Sequence, residues 1–444
     1  MNNGRDYDCL IIGGGLAGLT CGLKCLAEGL SCAVISSGMS ALHFSSGSID
    51  LLGYDADRSL VVSPMETLPG FIARNPDHPY ARCGQDNILE ALDFFRQEAD
   101  AQGLTLFSND RDNHFHITAI GTLKPTFLSQ ASVFTHEIKA VFEKKPAIAV
   151  LDFLGFRDFH PRLAAANLHR HKLFADCPMT CGEIELPGQR KTAGGPVDMR
   201  SVDIARIMDA TDDLSGVAHA ISAAAGTADI IGLPACLGLN RYRDILAELR
   251  RLTGRPIYEV PTLPPSILGM RLDNAIKSQF VARGGVFIAG ETVGSGQVEG
   301  DQVTAVHTLN QDDQIRAAGY VLASGSFFSK GLASRYGRMS EPVFDCRLET
   351  PPPDQALSAA SFLAPESHAF LKAGVITDES LRPMTREGKT IVNLFGAGAV
   401  LAGYNPVSEG CGGGVAIATG FTAARQVVAR LRSEKMVTTV NGHD

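Results

Sequence analysis

No stretch of this 444-residue chain is long and apolar enough to cross a bilayer. The first apolar segment, residues 9–30, contains three consecutive glycines, Lys24 and Glu28, and follows Asp6 and Asp8 where a targeting peptide carries basic residues. Neither a leader nor a direct membrane span is expected; if the protein reaches a membrane, a partner takes it there. A basic surplus is also missing. Acids outnumber bases, 48 to 40, for a net charge of −8, which argues against the cationic footprint a nucleic-acid binder needs for phosphates. No block of like charge forms a tail. Cys177 and Cys181 make a C-x3-C pair with no second pair beside them, so an iron–sulfur cluster is not expected. The ten scattered cysteines read as reduced, buried thiols of a cytoplasmic protein. The histidines show no metal-ligand spacing, and no metal site is predicted.

What is present is glycine in particular places. Residues 7–12 read as a short buried strand, 16–28 as a helix stopped by Gly29, and 31–36 as a second strand. Between the first strand and the helix stand Gly13, Gly14, Gly15, Leu16, Ala17 and Gly18. The first glycine of G-x-G-x-x-G permits a tight turn, the second lets the backbone approach a pyrophosphate, and the third lets helix and strand pack closely. Phosphate then lies on the helix N-terminus, where free N–H groups favour negative charge. The acid that ends the second strand of a dinucleotide site is absent; Ser36 and Ser37 stand there, and a hydroxyl binds ribose more weakly than a carboxylate. Residues 37–50 read as a Ser/Gly-rich loop.

Two further glycine signals follow. Residues 320–323 read as a buried strand running into Ser324 and Gly325, a turn of small residues. Near the end, a strand at 392–395 leads to Gly396, Gly398 and Ala399, and Gly410, Gly412, Gly413 and Gly414 open a helix over 413–432. Amides at that helix start suit the pyrimidine end of an isoalloxazine, where they stabilise the charge of the reduced flavin; tight packing is the alternative reason for such glycines. In this order the three signals predict a discontinuous, two-part Rossmann-type flavin-binding domain, of α/β class, with an inserted α/β domain. Its parts are 1–50, 265–334 and 386–435. The insert is 51–264, with strands at 147–153, 228–233 and 257–260 and helices at 160–171 and 241–252. A small insertion covers 335–385 and a tail 436–444. Within the second part, 270–283 reads as a helix, 286–288 as a strand and 290–308 as a hairpin.

Several segments then carry a resemblance. Gly13 to Leu19, Ser40-Ala41-Leu42-His43-Phe44-Ser45-Ser46-Gly47-Ser48, Gly121-Thr122-Leu123, Leu233-Pro234-Ala235-Cys236, Pro261-Thr262-Leu263-Pro264-Pro265-Ser266, Gly269-Met270-Arg271-Leu272, Ala323 to Ser329, Thr377 to Pro383 and Gly410 to Gly414 span nearly the whole chain. Together they resemble the B subunits of the anaerobic sn-glycerol-3-phosphate dehydrogenase and, more distantly, the fumarate reductase and succinate dehydrogenase flavoproteins. The resemblance implies a subunit of a three-part, quinone-linked enzyme that oxidises glycerol 3-phosphate to dihydroxyacetone phosphate. Its partners would be an FAD-bearing A subunit and an iron–sulfur, membrane-attached C subunit, which would hold this chain at the inner face of the cell membrane. It also implies FMN as this subunit's flavin, whereas the glycine fingerprint suits the pyrophosphate of FAD. Ala399 stands where two-part FAD domains often place an acid.

From these readings Gly13, Gly14, Gly15 and Gly18 are expected to hold phosphate. Ser36, Ser37, Ser45, Ser46, Gly47, Ser48, Ser324, Gly325 and Gly398 are expected around the flavin, with Gly412, Gly413 and Gly414 against its ring. The small phosphorylated substrate needs cations, and Arg271 and Arg382 are the candidates because a guanidinium fork matches phosphate. His43 is the candidate base. Structural salt bridges are the plainer reading of the arginines. Two other functions stay open: a cofactor-free scaffold linking catalytic and membrane-bound subunits, favoured by Ser36 and Ala399, and a free-standing fumarate reductase-type flavoprotein.

Overall fold

A computed structural model describes residues 6–133, 144–187, 191–192, 195–310, 314–364 and 367–440. The chain divides into two compact units. One comprises Met1–Ala41, Ile49–Gly103 and Asp273–Asp444; the other comprises Leu42–Ser48 and Leu104–Leu272.

The first unit is built on a five-stranded parallel sheet. In spatial order its strands are Val286–Ala289, Cys32–Ser36, Tyr7–Ile12, Ala317–Leu322 and Leu394–Gly396. The inner strands are near-continuous apolar runs because both faces are covered: Cys9 to Ile12 and Ala317 to Leu322 are all buried. Helix Leu16–Ala27 makes the first crossover and lies against the C-terminal helix Gly412–Val440. The two come so close that a Cβ on Gly420 would stand 2.3 Å from the Ala17 carbonyl oxygen. The hairpin Val293–Glu299 with Gln302–Thr308 follows the outermost strand, as its glycine-marked turns predict.

Residues 51–103 pack in this unit, not with the insert to which the sequence pattern assigns them. Helices Pro64–Arg74, Pro79–Cys83 and Gln85–Asp100 account for this. Phe94 packs against Phe421 with ring centroids 5.5 Å apart, and Arg425 bonds Asn87 and Glu90 at 2.8 and 2.9 Å. Apart from Pro69 and Gly70, which lie inside the first of these helices, their prolines and glycines mark where elements end and carry no information about which sheet those elements cover.

The second unit has its own four-stranded parallel sheet, in the order Ile257–Val260, Ile230–Pro234, Ile148–Phe153, Met179–Ile184. Helices Pro161–Leu168, Ser201–Ala210, Ser215–Ala225 and Tyr242–Thr253 belong to the same unit. A single core runs through Val150, Leu151, Ile204, Ile221, Ile231 and Leu249. It is an α/β domain, as the sequence predicts.

All ten cysteines are free and nine are buried, with Cys181 half-exposed. Cys9 and Cys32 are register partners on adjacent strands, and together with Cys25 they bring three sulfurs within 4.8 Å of one another in the first unit's core. Each acts there as a small apolar side chain.

Asp152, near the carboxyl end of strand Ile148–Phe153, is buried beside the charges of Glu183 and Asp158 and its pKa is raised to about 7, chiefly by burial. A carboxyl whose folded pKa lies above its unfolded value, near 3.9, keeps its proton in the native state while the unfolded chain loses it. Its contribution is therefore complete below about pH 4 and is lost as pH rises toward 7, approaching about 4 kcal/mol. Asp152→Asn keeps an acceptor for the Phe153 N–H, which Asp152 Oδ1 takes at 2.7 Å. This variant should melt higher than the native chain at pH 8 and at nearly the same temperature at pH 4.5. An equal shift at both pH values would exclude titration as the cause.

Candidate functional site

The parallel strands of the first unit place the sequence motifs along one edge. Register pairs Ile12 with Ile35 and Leu322, Leu322 with Gly396, and Ala289 with Ser36. The carboxyl ends therefore deliver Gly13, Ser36, Gly290, Ser324 and Gly398 to the same side. Backbone bonds tie the turns together: Gly13 N–H to Ile35 O at 2.8 Å, Ala323 N–H to Ile12 O at 2.9 Å and Ala397 N–H to Leu322 O at 2.9 Å. In open parallel sheets this is the edge where ligands bind.

The fingerprint glycines divide by role. Gly13 has φ +116°, and a Cβ on it would sit 2.1 Å from the Ala323 carbonyl oxygen; a Cβ on Gly18 would sit 2.0 Å from the Gly13 carbonyl oxygen. These two are required by the chain's own packing. Gly14 faces Ser36, whose Oγ would be 2.8 Å from an added Cβ. Gly15 alone has nothing within 4 Å of such a carbon, and it is the N-cap of helix Leu16–Ala27. The turn thus opens to space where helix N–H groups are available to an anion. Ser324 Oγ and Glu291 Oε2 are buried without a hydrogen-bond partner among the described residues. A buried polar atom left so costs about 1–3 kcal/mol, and a bound polar group at this edge would relieve it. The residues present fit the phosphate of a flavin.

The C-terminal glycines answer partly to packing. A Cβ on Gly414 would stand 2.2 Å from Tyr80 Oη, and the Gly414 N–H bonds Asp50 O at 2.8 Å; a Cβ on Gly413 would stand 3.2 Å from Ile49 Cα. Close approach of the chain at 49–51 explains these two without a ring beside them. Gly398 donates its N–H to Thr419 Oγ1 at 2.8 Å.

Just before this helix lies a group that the sequence does not announce. His78 Nδ1 accepts the Tyr80 N–H at 3.0 Å, so in the neutral ring Nε2 carries the proton and donates it to Glu409 Oε2 at 3.3 Å. The Cys411 thiol donates to the same oxygen at 3.3 Å, and burial with the Glu409 charge pushes that thiol's pKa up. A protonated Nε2 offers no lone pair to a metal. The arrangement anchors the loop that leads into the C-terminal helix.

The serine loop belongs to the second unit. Ser46 Oγ and Ser48 Oγ lie 2.7 Å apart, and Lys124 Nζ reaches them at 3.2 and 3.3 Å. Lys124 sits on the hairpin of His114–Ile117 with Leu123–Thr126, opposite buried His116. Burial first, then Lys124 and His114, hold the His116 pKa well below its usual value. Gly121 makes the turn of that hairpin, and Gly47 O accepts from Gln130 Nε2 at 3.3 Å. His43 lies in the short 3-10 helix Ala41–Phe44, its carbonyl taking the Ser266 N–H at 2.8 Å.

The two arginines part company. Arg271 is buried, with Nε donating to Gly238 O at 2.9 Å, Nη1 and Nη2 paired with Glu259, and its guanidinium 4.2 Å from the Tyr242 ring centroid. Its fork is already filled by a carboxylate and a carbonyl, which corrects the expectation that it meets a phosphate. Arg382 is 37% exposed, with Nε on Asp378 Oδ2 at 2.8 Å. The cavity of about 560 Å³ lined by His368, Lys372 and Asn405 includes none of the predicted residues.

Residues 8–415 match the family model described as an FAD binding domain. A curated relative, the B subunit of the anaerobic glycerol-3-phosphate dehydrogenase of Vibrio cholerae serotype O1, is 38% identical over 431 residues, 97% of this chain and 98% of the relative. A relative of the same name from Aliivibrio fischeri is 36% identical over 441 residues, 96% of each chain. The solved 3-ketosteroid delta1-dehydrogenase of Sterolibacterium denitrificans is 13% identical, with a TM-score of 0.44 over 96% of this chain and 99% of that one.

Proposed function

The chain belongs to the family of anaerobic glycerol-3-phosphate dehydrogenase B subunits and carries an FAD-binding domain, which makes it a flavin-type redox subunit, and from that premise we propose that it serves a complex oxidising glycerol 3-phosphate to dihydroxyacetone phosphate. In this reading an FAD-bearing A subunit and an iron–sulfur C subunit complete the complex, and electrons pass through the latter to quinone. No helix among the described residues is long and apolar enough to cross a membrane; the proposed place at the inner face of the cell membrane depends on the partners.

One observation carries the reading: the glycine turn, Ser36, Ser324 and Gly398 converge on the carboxyl edge of one parallel sheet, with open space at Gly15. When bound there, a flavin supplies an acceptor for an electron pair. The helix start at Gly15 offers N–H groups and a dipole to its phosphate. Ser324 Oγ offers a hydroxyl that has no other partner among the described residues. In the second unit, Lys124 with Ser46 and Ser48 is the proposed clamp for the substrate's phosphate, the role that Arg271 does not fill. The ammonium supplies charge and the hydroxyls donate hydrogen bonds. His43, in the same unit, is the proposed base that takes the proton of the C2 hydroxyl, and Arg382, in the first unit, is the proposed cation for the flavin's phosphate.

The test is to purify the chain, denature it and identify any released chromophore by mass, then to assay the assembled complex for reduction of an artificial acceptor by glycerol 3-phosphate. Bound flavin and substrate-dependent reduction are expected. A chain that stays colourless after reconstitution with FMN and with FAD would favour the scaffold reading. Turnover by the chain alone would favour a free-standing flavoprotein. In the assembled complex, Lys124→Gln should raise KM for glycerol 3-phosphate about tenfold or more, as loss of a charged hydrogen bond does, at unchanged flavin content. An unaltered KM removes Lys124 from the site.

A further inference from the structure

Four cysteines from three elements meet in the core of the first unit. Cys9 and Cys32 are register partners on adjacent parallel strands, so their side chains leave the sheet on the same face. Helix Leu16–Ala27 joins these strands and brings Cys21 and Cys25, one turn apart, to the same place. All four are buried. The sulfurs of Cys9, Cys25 and Cys32 lie within 4.8 Å of one another, and the Cys21 thiol hydrogen-bonds Cys25 and Cys9. Among the described residues no other three cysteines converge. We propose that Cys9, Cys21, Cys25 and Cys32 bind one zinc ion as a closed structural site.

The distances suit the ion. Three sulfurs no more than 4.8 Å apart share a centre within about 2.8 Å of each, so an inward shift of about 0.5 Å reaches the zinc–thiolate bond length of about 2.3 Å. Cys21 supplies the fourth corner from the helix, and a tetrahedral set of sulfurs selects zinc. The ion needs thiolates, and the direction of the hydrogen bonds shows where the first forms. The thiols of Cys21, Cys32 and Cys9 all donate to Cys25; these bonds, with the Lys24 ammonium, hold its pKa well below that of an ordinary thiol although burial opposes them. Coordination then displaces protons from the others. Protonated, the four pack as small apolar side chains; loaded, they join two strands and the helix between them through one atom. Gly13 to Gly18 stand between Cys9 and Cys21 in the sequence, so the ion also holds both ends of that turn.

The experiment counts metal in the full chain as purified from medium supplied with zinc, and again after unfolding with reductant and chelator and refolding with Zn2+, Co2+ or no metal. One zinc per chain is expected, kept against chelator while the chain is folded and released on unfolding, because the site is closed to solvent. Cobalt should give the strong visible absorption of a tetrahedral thiolate site. Zinc should raise the melting temperature by about 5 °C or more over the metal-free chain. Cys25→Ala should lose the zinc and melt as the metal-free native chain does, with zinc or without. Cys9→Val keeps the apolar bulk of its strand and should lose the zinc as well, which separates loss of a ligand from loss of the fold. Cys177→Ala, in the second unit, should keep it. A folded native chain that carries no zinc from either route overturns the proposal. Zinc retained by both Cys25→Ala and Cys9→Val lies elsewhere and overturns it too. Neither outcome bears on the flavin reading, which flavin content tests separately.

Discussion

Arg271→Met should cost the second unit about 3–5 kcal/mol of stability, the usual consequence of removing one partner from a buried ion pair. Arg271 is 3% exposed and Glu259 1%. Removing the guanidinium strips Glu259 of its charged partner while the Leu237 N–H still donates to it at 3.0 Å, and orphans the Gly238 carbonyl. It also removes the stacking on Tyr242. Adding Glu259→Gln should return a large part of the loss, because a neutral amide is far cheaper to bury than a lone carboxylate. Urea unfolding of the native chain, the single and the double variant measures this. If Arg271 instead bound phosphate, the single variant would keep its unfolding midpoint and raise the KM for substrate. A loss below about 1 kcal/mol would rule out the structural role.

The second large effect concerns three glycines that look alike in the sequence. Gly18→Ala and Gly13→Ala should abolish a stable first unit, since each methyl would press on a backbone carbonyl oxygen at 2.0–2.1 Å. Neither oxygen can yield without moving a strand end, and at Gly13 the positive φ adds strain. Gly15→Ala meets nothing within 4 Å, so it should melt within a few degrees of the native chain. It should nevertheless bind flavin about tenfold or more weakly, because the methyl occupies the space into which the turn opens. Circular-dichroism melting and flavin titration separate the cases. A Gly15→Ala chain that folds and binds flavin normally would remove the turn from the cofactor site.

Local order was legible because consecutive residues encode it. Apolar runs between turn residues mark the strands Tyr7–Ile12 and Ile257–Val260, and glycines around a helix start mark the turn at Gly13. Three glycine signals in order predict a discontinuous domain, and its strands are neighbours in one sheet. The helices Pro64–Arg74 and Gln85–Asp100 are not among the expected elements, although Met65, Leu68, Phe71, Ile88, Leu92 and Phe95 fall at helical spacing and are buried.

Composition, motif and order thus determine by themselves that this chain makes a parallel α/β flavin-binding fold with a glycine turn between its first strand and helix, since turn geometry and periodicity depend on adjacent residues. Tertiary structure alone decides which distant side chains meet. His78 finds Glu409 across 331 positions, Lys124 finds Ser46 across 78, and Arg271 is closed off by Glu259. Those encounters depend on which strands lie side by side and in what register, and burial then sets which charges must be paired; no local stretch of sequence contains either.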